Sequence, residues 1–410
     1  MEDFWIDKLR NFVDEKKHES IALLQKLVDI PSTSFDVGGI QKAAQIFQTE
    51  FQALGFQVEL VAGGQISYPR EQKREHIKQF GAHLIARFPM VPNRPKLLCV
   101  GHMDTVLNPY TFKIDKKNGR SIAYGSGTSD MKGGLVVMLY IFKTLLFLNL
   151  LREFNVTVVI NSDEEVGSLD SCQHIQKIAQ DYGLALIFEP TQEDGRYVQD
   201  RGGISLYRLN VYGRNAHAGR DHKRGINAIR ELARKIEQIE SLTDYSRGIA
   251  VTVGLIDGGV AKNVVPDFAT GTIDCRFERL EDGNYLHQAI QEIVDSNTVF
   301  SSADQKKCEA VLLGGMTRPP KPCTPEIQRW FDLLNKNSQM LFNKEISWCK
   351  SGGGSDGNIV QACGVPVLDT MGVEGGKIHT LEEFIDLDSL QEKIVLGTVF
   401  VRSWLAEHQK

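Results

Sequence analysis

The stretch REFNVTVVINSDEEVGS, residues 152–168, joins a run of β-branched residues directly to three consecutive carboxylates. Residues 156–160 are all β-branched, which is typical of a strand buried on both faces of a sheet. A solvated acidic turn is the simplest interpretation of the carboxylates at positions 163–165, because adjacent negative charges repel one another. The rest of the sequence decides whether these carboxylates face cations instead.

Short apolar strands alternate with helices on both sides of this stretch. Strand patterns occupy residues 56–61, 81–88, 96–104, 155–160 and 184–190, and helical patterns occupy residues 18–30, 38–56, 131–151 and 169–182. Apolar strands that alternate with helices are typical of an α/β layer built on a mixed, largely parallel sheet. We therefore predict the α/β class for this part of the chain.

The pattern changes after residue 201. Strand patterns at residues 204–213, 249–259, 267–277 and 308–315 combine with helical patterns at residues 225–242 and 285–294. The resulting order, βαββαβ, is that of a ferredoxin-like domain. A proline-rich segment at residues 317–325 indicates a linker, and helical and strand patterns resume beyond it. We predict a catalytic domain formed by residues 1–201 and 318–410, into which residues 202–317 are inserted.

Composition narrows the class of protein. A chain of 410 residues is too long for one hydrophobic core, and its net charge of −5 gives no basic footprint for nucleic acid. No apolar run reaches the length that spans a bilayer, and the N-terminus lacks the pattern of a secretory signal. The seven cysteines are scattered without a CxxC pair, which favours free thiols. We expect a cytoplasmic, two-domain chain of the size of an enzyme, without a nucleic-acid or membrane partner.

Side chains that can bind metal follow several predicted strands. They are His102 and Asp104 after residues 96–100, Asp130 in the next loop, Glu164 and Glu165 after residues 155–160, Glu189 after residues 184–188, and His379 in a glycine-rich segment far downstream. In α/β sheets, ligands bind at the carboxyl ends of strands. Imidazole and carboxylate together suit zinc and other divalent ions of similar chemistry.

A charge count is consistent with two ions. Two zinc ions carry four positive charges, which Asp130, Glu165, Glu189 and one hydroxide balance. Glu164 then remains unbound beside the hydroxide, where it can take a proton. Asp104, two residues after the first imidazole, is placed to orient that ring. The adjacent carboxylates of the opening stretch are therefore predicted to divide the duties of ligand and base.

Seven motifs carry a resemblance to a known family. They are GHMDTV (101–106), YGSGTSDMKGG (124–134), NSDEEVGS (161–168), IFEPT (187–191), GRNAHAG (213–219), NVVP (263–266) and SGGGSDG (351–357). In this order they resemble the signature series of the M20 metallopeptidases over nearly the whole chain. The glutamate carboxypeptidase (carboxypeptidase G2-like) branch is the most similar one.

The resemblance implies a zinc-peptidase catalytic domain with two divalent metal ions, zinc in the first place, with cobalt and manganese as alternatives. The implied ligands are His102, Asp130, Glu165, Glu189 and His379. Asp130 would bridge the two ions and precede a cis peptide bond to Met131. Glu164 would be the general base, and Asp104 would contribute to catalysis by orienting the imidazole of His102.

The resemblance also implies that the inserted domain is a lid and a dimerisation module. His217 would reach the partner's site and hold the oxyanion, while Asn263 and Arg276 would bind the substrate's carboxylate or amide. The glycine loop at residues 351–355, with Gly353 and Gly354, would offer backbone N–H groups to the same carboxylate. Arg196 and Arg318 are further candidates for substrate contacts. The first strand of this domain, residues 204–213, is predicted to be an exposed edge that pairs two copies.

Two features depart from the family pattern. The segment at residues 63–84 is longer and more basic than expected, and it either borders the site or is a solvated excursion. Arg201 replaces a small residue. The predicted function is hydrolysis of the amide bond of a peptide or N-acyl amino acid with a free carboxylate. An N-acyl-amino-acid or N-succinyl deacylase is the alternative within the same chemistry, and a catalytically inactive metal-binding homologue is the alternative of another class.

Overall fold

The computed structural model describes residues 2–70 and 74–408. Its helices are α1 (Glu2–Glu15), α2 (Lys17–Val28), α3 (Val37–Ala53), α4 (Gly133–Phe147), α5 (Ser171–Ala179), α6 (Ala228–Glu240), α7 (Leu280–Asp295), α8 (Pro325–Phe342), α9 (Asp356–Ala362) and α10 (Leu387–His408). Short π or 3₁₀ turns occupy Thr128–Lys132, Leu151–Glu153, Glu164–Val166, His222–Arg224 and Tyr245–Arg247. No helix in the described part of the chain is long and apolar enough to cross a bilayer.

The strands belong to five sheets. They are β1 (Gln57–Val61), β2 (Gln65–Arg70), β3 (Arg74–Gln79), β4 (His83–Arg87), β5 (Lys96–His102), β6 (Lys113–Lys117), β7 (Arg120–Tyr124), β8 (Asn155–Asn161), β9 (Leu184–Ile187), β10 (Tyr197–Arg201), β11 (Gly203–Tyr212), β12 (Ala250–Gly258), β13 (Phe268–Phe277), β14 (Glu309–Arg318), β15 (Trp348–Ser351), β16 (Val367–Leu368), β17 (Gly375–Gly376) and β18 (Phe384–Asp386).

The largest sheet has six strands in the order β1-β4-β8-β5-β9-β16. Strands β8, β5, β9 and β16 run parallel to one another, whereas β4 is antiparallel to both of its neighbours. All seven residues of β8, the strand of the opening stretch, are buried. The prediction of an α/β protein with a mixed, largely parallel sheet is confirmed.

Apolar helices cover this sheet. Helix α4 buries nearly all of its surface and packs against α10, as expected for a helix that is apolar on all sides. Its residue Phe142 contacts the rings of Phe51 and Phe56, which also contact each other, edge to face or tilted. Burial of each such ring contributes about 1.5–3 kcal/mol to the stability of the fold. This packing fixes the positions of the sheet strands, and the polar residues described below follow the ends of those strands.

A second sheet has four antiparallel strands in the order β12-β13-β11-β14, with α6 and α7 packed against it. This is the ferredoxin-like arrangement that the βαββαβ order predicts, and it has a hydrophobic core of its own. The chain enters it after residue 201 and leaves it at residue 318, and the backbones of Arg201 and Lys321 pair with each other at this junction. We propose on this basis that residues 202–317 form a domain inserted between residues 1–201 and 318–410.

The predicted exposed edge at residues 204–213 is wrong. Strand β11 pairs along its length with β13 on one side and with β14 on the other, so it lies inside the sheet. Alternation of apolar and polar residues reports that one face is buried, but it does not report how many neighbouring strands there are. The edges of the sheet are β12 and β14.

The long basic segment at residues 63–84 forms the hairpin of β2 and β3. Its residues 71–73 lie outside the described residues. At its base, the N–H of Gly64 donates a 2.7 Å hydrogen bond to the Asp170 carboxylate, which also lies 2.9 Å from His83 Nε2. The described part of the hairpin does not line the cavity presented below.

Candidate active site

Polar side chains meet at one end of the large sheet. His102 is the last residue of β5, the turn with Glu164 and Glu165 follows β8, and Glu189 follows β9. These three strands are parallel neighbours, so their carboxyl ends lie at the same edge. Asp130 comes from the π turn before α4, and His379 comes from the loop between β17 and β18.

Asp130 lies between the two imidazoles. Its Oδ1 is 3.2 Å from His102 Nε2, and its Oδ2 is 3.2 Å from His379 Nε2. His379 Nε2 is also 3.2 Å from Glu165 Oε2, and His102 Nε2 is 3.7 Å from Glu189 Oε1. Each oxygen of one carboxylate thus faces a different imidazole, and each imidazole has a second carboxylate beside it.

The carboxylates of this site are close together and buried, an arrangement that bound cations would stabilise. Burial and the neighbouring Asp130 raise the pKa of Glu165 to about 8, and the same two causes raise the pKa of Glu189 well above its usual range. One oxygen of Glu165, Oε1, is buried without a hydrogen-bond partner among the described residues. Both observations are expected where carboxylates are arranged to bind metal ions rather than protons.

Two overlapping sets of side chains could hold an ion. His102, Asp130 and Glu165 form one set, and His102, Glu164 and Glu189 form the other, with ligand atoms in each set within 4.8 Å of one another. Imidazole nitrogen and carboxylate oxygen are the ligands of divalent ions such as zinc. Because both sets use the His102 imidazole, they are alternatives for one ion, and it is Asp130, with one oxygen toward His102 and the other toward His379, that fits a dinuclear metal centre.

Asp104 supports two of the candidate residues at once. His102 Nδ1 lies 3.0 Å from the backbone carbonyl oxygen of Asp104 and 3.3 Å from Asp104 Oδ1. The fully buried Asp104 carboxylate also accepts the backbone N–H groups of Glu164 and Glu165, at 3.2 and 3.1 Å, and the hydroxyl of Ser34. Asp104 therefore contacts the imidazole that it was predicted to orient and holds the turn of the two glutamates as well.

The peptide bond between Asp130 and Met131 is cis, as predicted.

The backbone of the segment that carries Asp130 is bound by Glu383, a residue that the sequence analysis did not identify. The buried carboxylate of Glu383 accepts the backbone N–H groups of Gly127, Ser129 and Asp130. Its neighbour Glu382 is exposed, and nothing in the sequence HTLEEF distinguishes the two glutamates. Only their partners differ, and those of Glu383 lie 253 to 256 residues earlier in the chain.

Glu164 is paired with Arg318, which was predicted as a substrate contact. The buried Arg318 donates from Nη2 to Glu164 Oε1 at 2.5 Å, to the Glu164 carbonyl at 3.0 Å and to Ser168 Oγ at 3.1 Å. Its Nε is buried without a hydrogen-bond partner in the described part of the chain. The structure therefore places Arg318 against the candidate base.

Arg201, the departure from the family pattern, lies behind the glycine loop. Its Nε donates to Asp369 Oδ2 at 2.7 Å, and its Nη1 donates to the carbonyl oxygens of Gly353 and Gly354 at 3.0 and 3.4 Å. The N–H of Gly353 is bonded to Ser351 Oγ, so the loop offers fewer free N–H groups than predicted. Both Arg201 and Asp369 are buried.

We expect Asp369→Ala to lower the free energy of unfolding by about 3–5 kcal/mol, because the buried Arg201 guanidinium loses its partner. Urea unfolding of the metal-free protein measures the loss. Asp194→Ala is the matched control, since Asp194 pairs with Arg196 at the same 2.7 Å but on the exposed surface, and it should have little effect. Equal effects of the two variants would contradict the expectation.

The remaining predicted substrate residues are not all at this site. Arg196 is exposed, pairs with Asp194 and does not line the cavity. Arg276 lies close to the glycine loop, with Nη1 at 3.4 Å from the Gly352 carbonyl oxygen. The loop of His217 pairs with the segment of Asn263 at the opposite end of the inserted sheet.

A cavity of about 490 Å³ lies beside most of the candidate metal ligands and the glycine loop, and its size is common for sites that bind small molecules. Its lining includes Asp130, Glu164, Glu165, Glu189, Arg201, Gly353, Gly354 and His379. Together with the fold, this cavity defines a metal-dependent hydrolase. The particular family follows from the sequence model of peptidase family M20/M25/M40, which matches residues 98–402, and the chain belongs to that family.

Individual relatives agree with this assignment. The chain is 27% identical to Carboxypeptidase G2 of Pseudomonas sp. (strain RS-16), over 92% of this chain and 87% of that protein. It is 28% identical to Succinyl-diaminopimelate desuccinylase of Corynebacterium glutamicum, over 68% and 70%. An M20 family metallo-carboxypeptidase from Sulfolobus solfataricus has the same fold, with a TM-score of 0.69, 18% identity and coverage of 95% and 99%. The resemblance to M20 metallopeptidases and its carboxypeptidase G2-like branch is confirmed.

Proposed function

We propose that this metallopeptidase cleaves the amide bond of a peptide or N-acyl amino acid bearing a free carboxylate, as a glutamate carboxypeptidase-like exopeptidase. The observation that carries the proposal is Asp130, whose two carboxylate oxygens each face a different imidazole, with Glu165 and Glu189 at its sides. The similarity to Carboxypeptidase G2 over most of both chains supports the carboxypeptidase-like form.

Two divalent ions would be held by the five predicted ligands, with Asp130 shared between them. Zinc, cobalt and manganese all suit this combination of nitrogen and oxygen ligands. When bound, such ions polarise the scissile carbonyl group and increase the acidity of water. The ligands themselves are His102, Asp130, Glu165, Glu189 and His379.

Glu164 would act as the general base. It takes a proton from the attacking water and delivers it to the nitrogen of the leaving amine. Arg318 donates to Glu164 Oε1 and to the Glu164 carbonyl, so it fixes the position of this carboxylate and limits its rotation. Asp104 fixes the backbone of the same turn through the N–H groups of Glu164 and Glu165. These contacts prepare one carboxylate for proton transfer.

A free carboxylate on the substrate would be recognised by hydrogen-bond donors beside the cavity, among them Arg276 Nη1, because Nε and Nη2 of Arg276 are paired with Asp274. Arg276 lies next to the glycine loop, and the remaining N–H groups of that loop around Gly354 can donate to an anion. Arg201 adds a buried guanidinium on the same side, although Asp369 balances its charge. We assign the recognition of the substrate carboxylate to Arg276 and the glycine loop.

His217 and Asn263 would act in the partner subunit of a homodimer. Strand β11 leads from the junction at Gly203 to Tyr212, about 30 Å away for a strand of this length. The loop of His217 follows it, and we infer that this length keeps His217 away from the metal ligands of its own subunit. A second copy can bring this loop to the site.

The surface for this dimer would be the edge strand β12. Leu255, Ile256 and Val260 on and after this strand are 70%, 69% and 66% exposed, which is unusual for three neighbouring large apolar side chains. An edge strand also has unpaired backbone groups that a second copy can satisfy. We therefore place the dimer contact at β12.

We further infer that the enzyme acts in the cytoplasm. All seven cysteines are free thiols, which is the state that a reducing compartment maintains.

An N-succinyl or N-acyl deacylase is the second candidate, because the chain is also 28% identical to a Succinyl-diaminopimelate desuccinylase. The two candidates share the proposed metal centre and differ in the acyl group that they accept. They predict different substrates within one panel.

The test is hydrolysis of a matched panel by the metal-stripped protein after addition of zinc, cobalt or manganese. The panel contains dipeptides, N-acetyl and N-succinyl amino acids, and the corresponding C-terminal amides as controls. We expect metal-dependent cleavage that requires the free carboxylate. Cleavage of N-succinyl or N-acetyl compounds without cleavage of the dipeptides would favour the deacylase, and metal binding without any cleavage would favour an inactive homologue.

A further inference from the structure

Glu383 connects the two halves of the candidate metal centre. Its carboxylate is 3% exposed and lies beneath the segment that carries Asp130. Oε2 accepts the N–H of Gly127 at 2.8 Å, and Oε1 accepts the N–H groups of Ser129 and Asp130 at 2.8 and 2.9 Å. The Glu383 carbonyl oxygen also accepts the N–H of Gly125 at 3.3 Å.

The same residue belongs to the segment of the second imidazole. Glu383 lies four residues after His379, and its N–H donates to the carbonyl oxygen of Thr380 at 3.3 Å. Through its side chain and its backbone, one residue thus joins residues 125–130 to the segment of residues 380–383. Asp130 and His379, which face each other at 3.2 Å, come from these two segments.

We propose that Glu383 is a positioning residue of the metal centre, which holds the shared Asp130 carboxylate between His102 and His379. The inference rests on the proposed function, because it assigns to Glu383 a role in binding the proposed ions. Glu383 itself does not contact the ions or the substrate in this account. It acts through the backbone N–H groups of Gly127, Ser129 and Asp130, which lead up to the Asp130 side chain.

The chemistry of the three donors explains why a carboxylate is needed. A carboxylate has two oxygens that accept only, whereas the amide of glutamine has one oxygen and one NH₂ donor. In Glu383→Gln, the NH₂ group would face at least one buried backbone N–H. The segment would then have to move or lose a hydrogen bond, and the two oxygens of Asp130 would move with it.

The neighbouring residue offers a matched control. Glu382 has the same charge and lies one residue nearer to His379, but it is exposed and pairs with Lys377 on the surface. Glu382→Gln removes the same charge from the same loop without touching the Asp130 segment. A general effect of lost negative charge near the site would appear in both variants.

The experiment compares metal binding by wild type, E383Q, E383D and E382Q after removal of metal by a chelator. Zinc affinity is measured by competition with a chromophoric chelator, the cobalt-loaded proteins are compared by visible absorption, and the metal-free proteins are compared by thermal unfolding. We expect E383Q to bind zinc about 10–100-fold more weakly and to show an altered cobalt spectrum. E382Q should match wild type in both.

A purely structural role would lower the unfolding temperature of E383Q and leave its zinc affinity and cobalt spectrum unchanged, and that result would overturn the proposal. If E383Q does not fold, E383D decides the matter, because it keeps the charge and withdraws the carboxylate by one methylene. We expect E383D to bind zinc about tenfold more weakly, and wild-type affinity in folded E383D would overturn the proposal. Failure of wild type to bind two ions would instead count against the proposed function.

Discussion

Replacing Glu164 by glutamine should reduce turnover by about 10³–10⁴-fold or more while both metal ions remain bound. Glutamine keeps the length of the side chain and an oxygen for Arg318, so the turn at Glu164–Val166 should keep its place. What it loses is the ability to take and return a proton. Turnover measured beside the metal content of the same sample gives the result.

The matched control for this variant is the next residue. Glu165→Gln keeps the same length and removes the same charge, but Glu165 lies 3.2 Å from His379 and is assigned as a ligand. It should lower metal occupancy as well as turnover. Because Glu164 can also join His102 and Glu189 in a set of possible ligands, metal loss in Glu164→Gln with full occupancy in Glu165→Gln would show that their roles are exchanged.

The second large effect concerns His217. We expect His217→Ala to lower turnover by about 10²-fold with both metals in place, because one well-placed donor to the oxyanion contributes about 3 kcal/mol. His217 is exposed and lies beyond the far end of β11, so no loss of packing should accompany the change. Thermal unfolding of the variant serves as the check on its fold.

Mixing subunits tests whether this histidine acts across the dimer. In a dimer of one His217→Ala and one Glu164→Gln subunit, one of the two sites receives both intact residues if His217 acts on its partner. Random exchange should then restore about a quarter of wild-type activity, by the statistics of a two-fold dimer. Mixed dimers that form normally and remain inactive would show that His217 does not act across the interface.

Residues at strand ends could be predicted from the sequence because they depend on local patterns. His102, Glu164, Glu165 and Glu189 each follow an apolar strand within a few residues, and parallel neighbouring strands end at one edge. The predicted order of strands therefore also predicts that these four side chains lie close together. His379 was predicted from its glycine-rich surroundings and the family motifs, although it lies 249 residues from Asp130.

Residues that support these side chains could not be predicted in the same way. Glu383 meets Gly127, and Asp369 meets Arg201, across 256 and 168 residues. Such pairs depend on how separate segments pack together, and the periodicity and spacing of residues in the sequence carry no information about that packing. The prediction that β11 is an edge strand is wrong for a related reason. The alternation of apolar and polar residues is the same in a central strand and in an edge strand of a sheet with one buried face.

The presence of Arg201 also becomes understandable in three dimensions. A small residue at this position would leave Asp369 buried without its cation and the carbonyl oxygens of Gly353 and Gly354 without a donor. The arginine thus replaces the missing interactions with one planar group that reaches all three partners. It shapes the glycine loop from behind, on the side where the substrate carboxylate is proposed to bind.

The central claim is that two metal ions share Asp130, and anomalous diffraction from crystals of the zinc-loaded protein tests it most directly. Data collected on both sides of the zinc absorption edge locate the ions independently of any assumption about ligands. We predict two peaks, one beside His102 and Glu189 and one beside His379 and Glu165, each within coordination distance of a different Asp130 oxygen, about 2.0–2.2 Å. A single peak, or a second peak away from Asp130, would contradict the account.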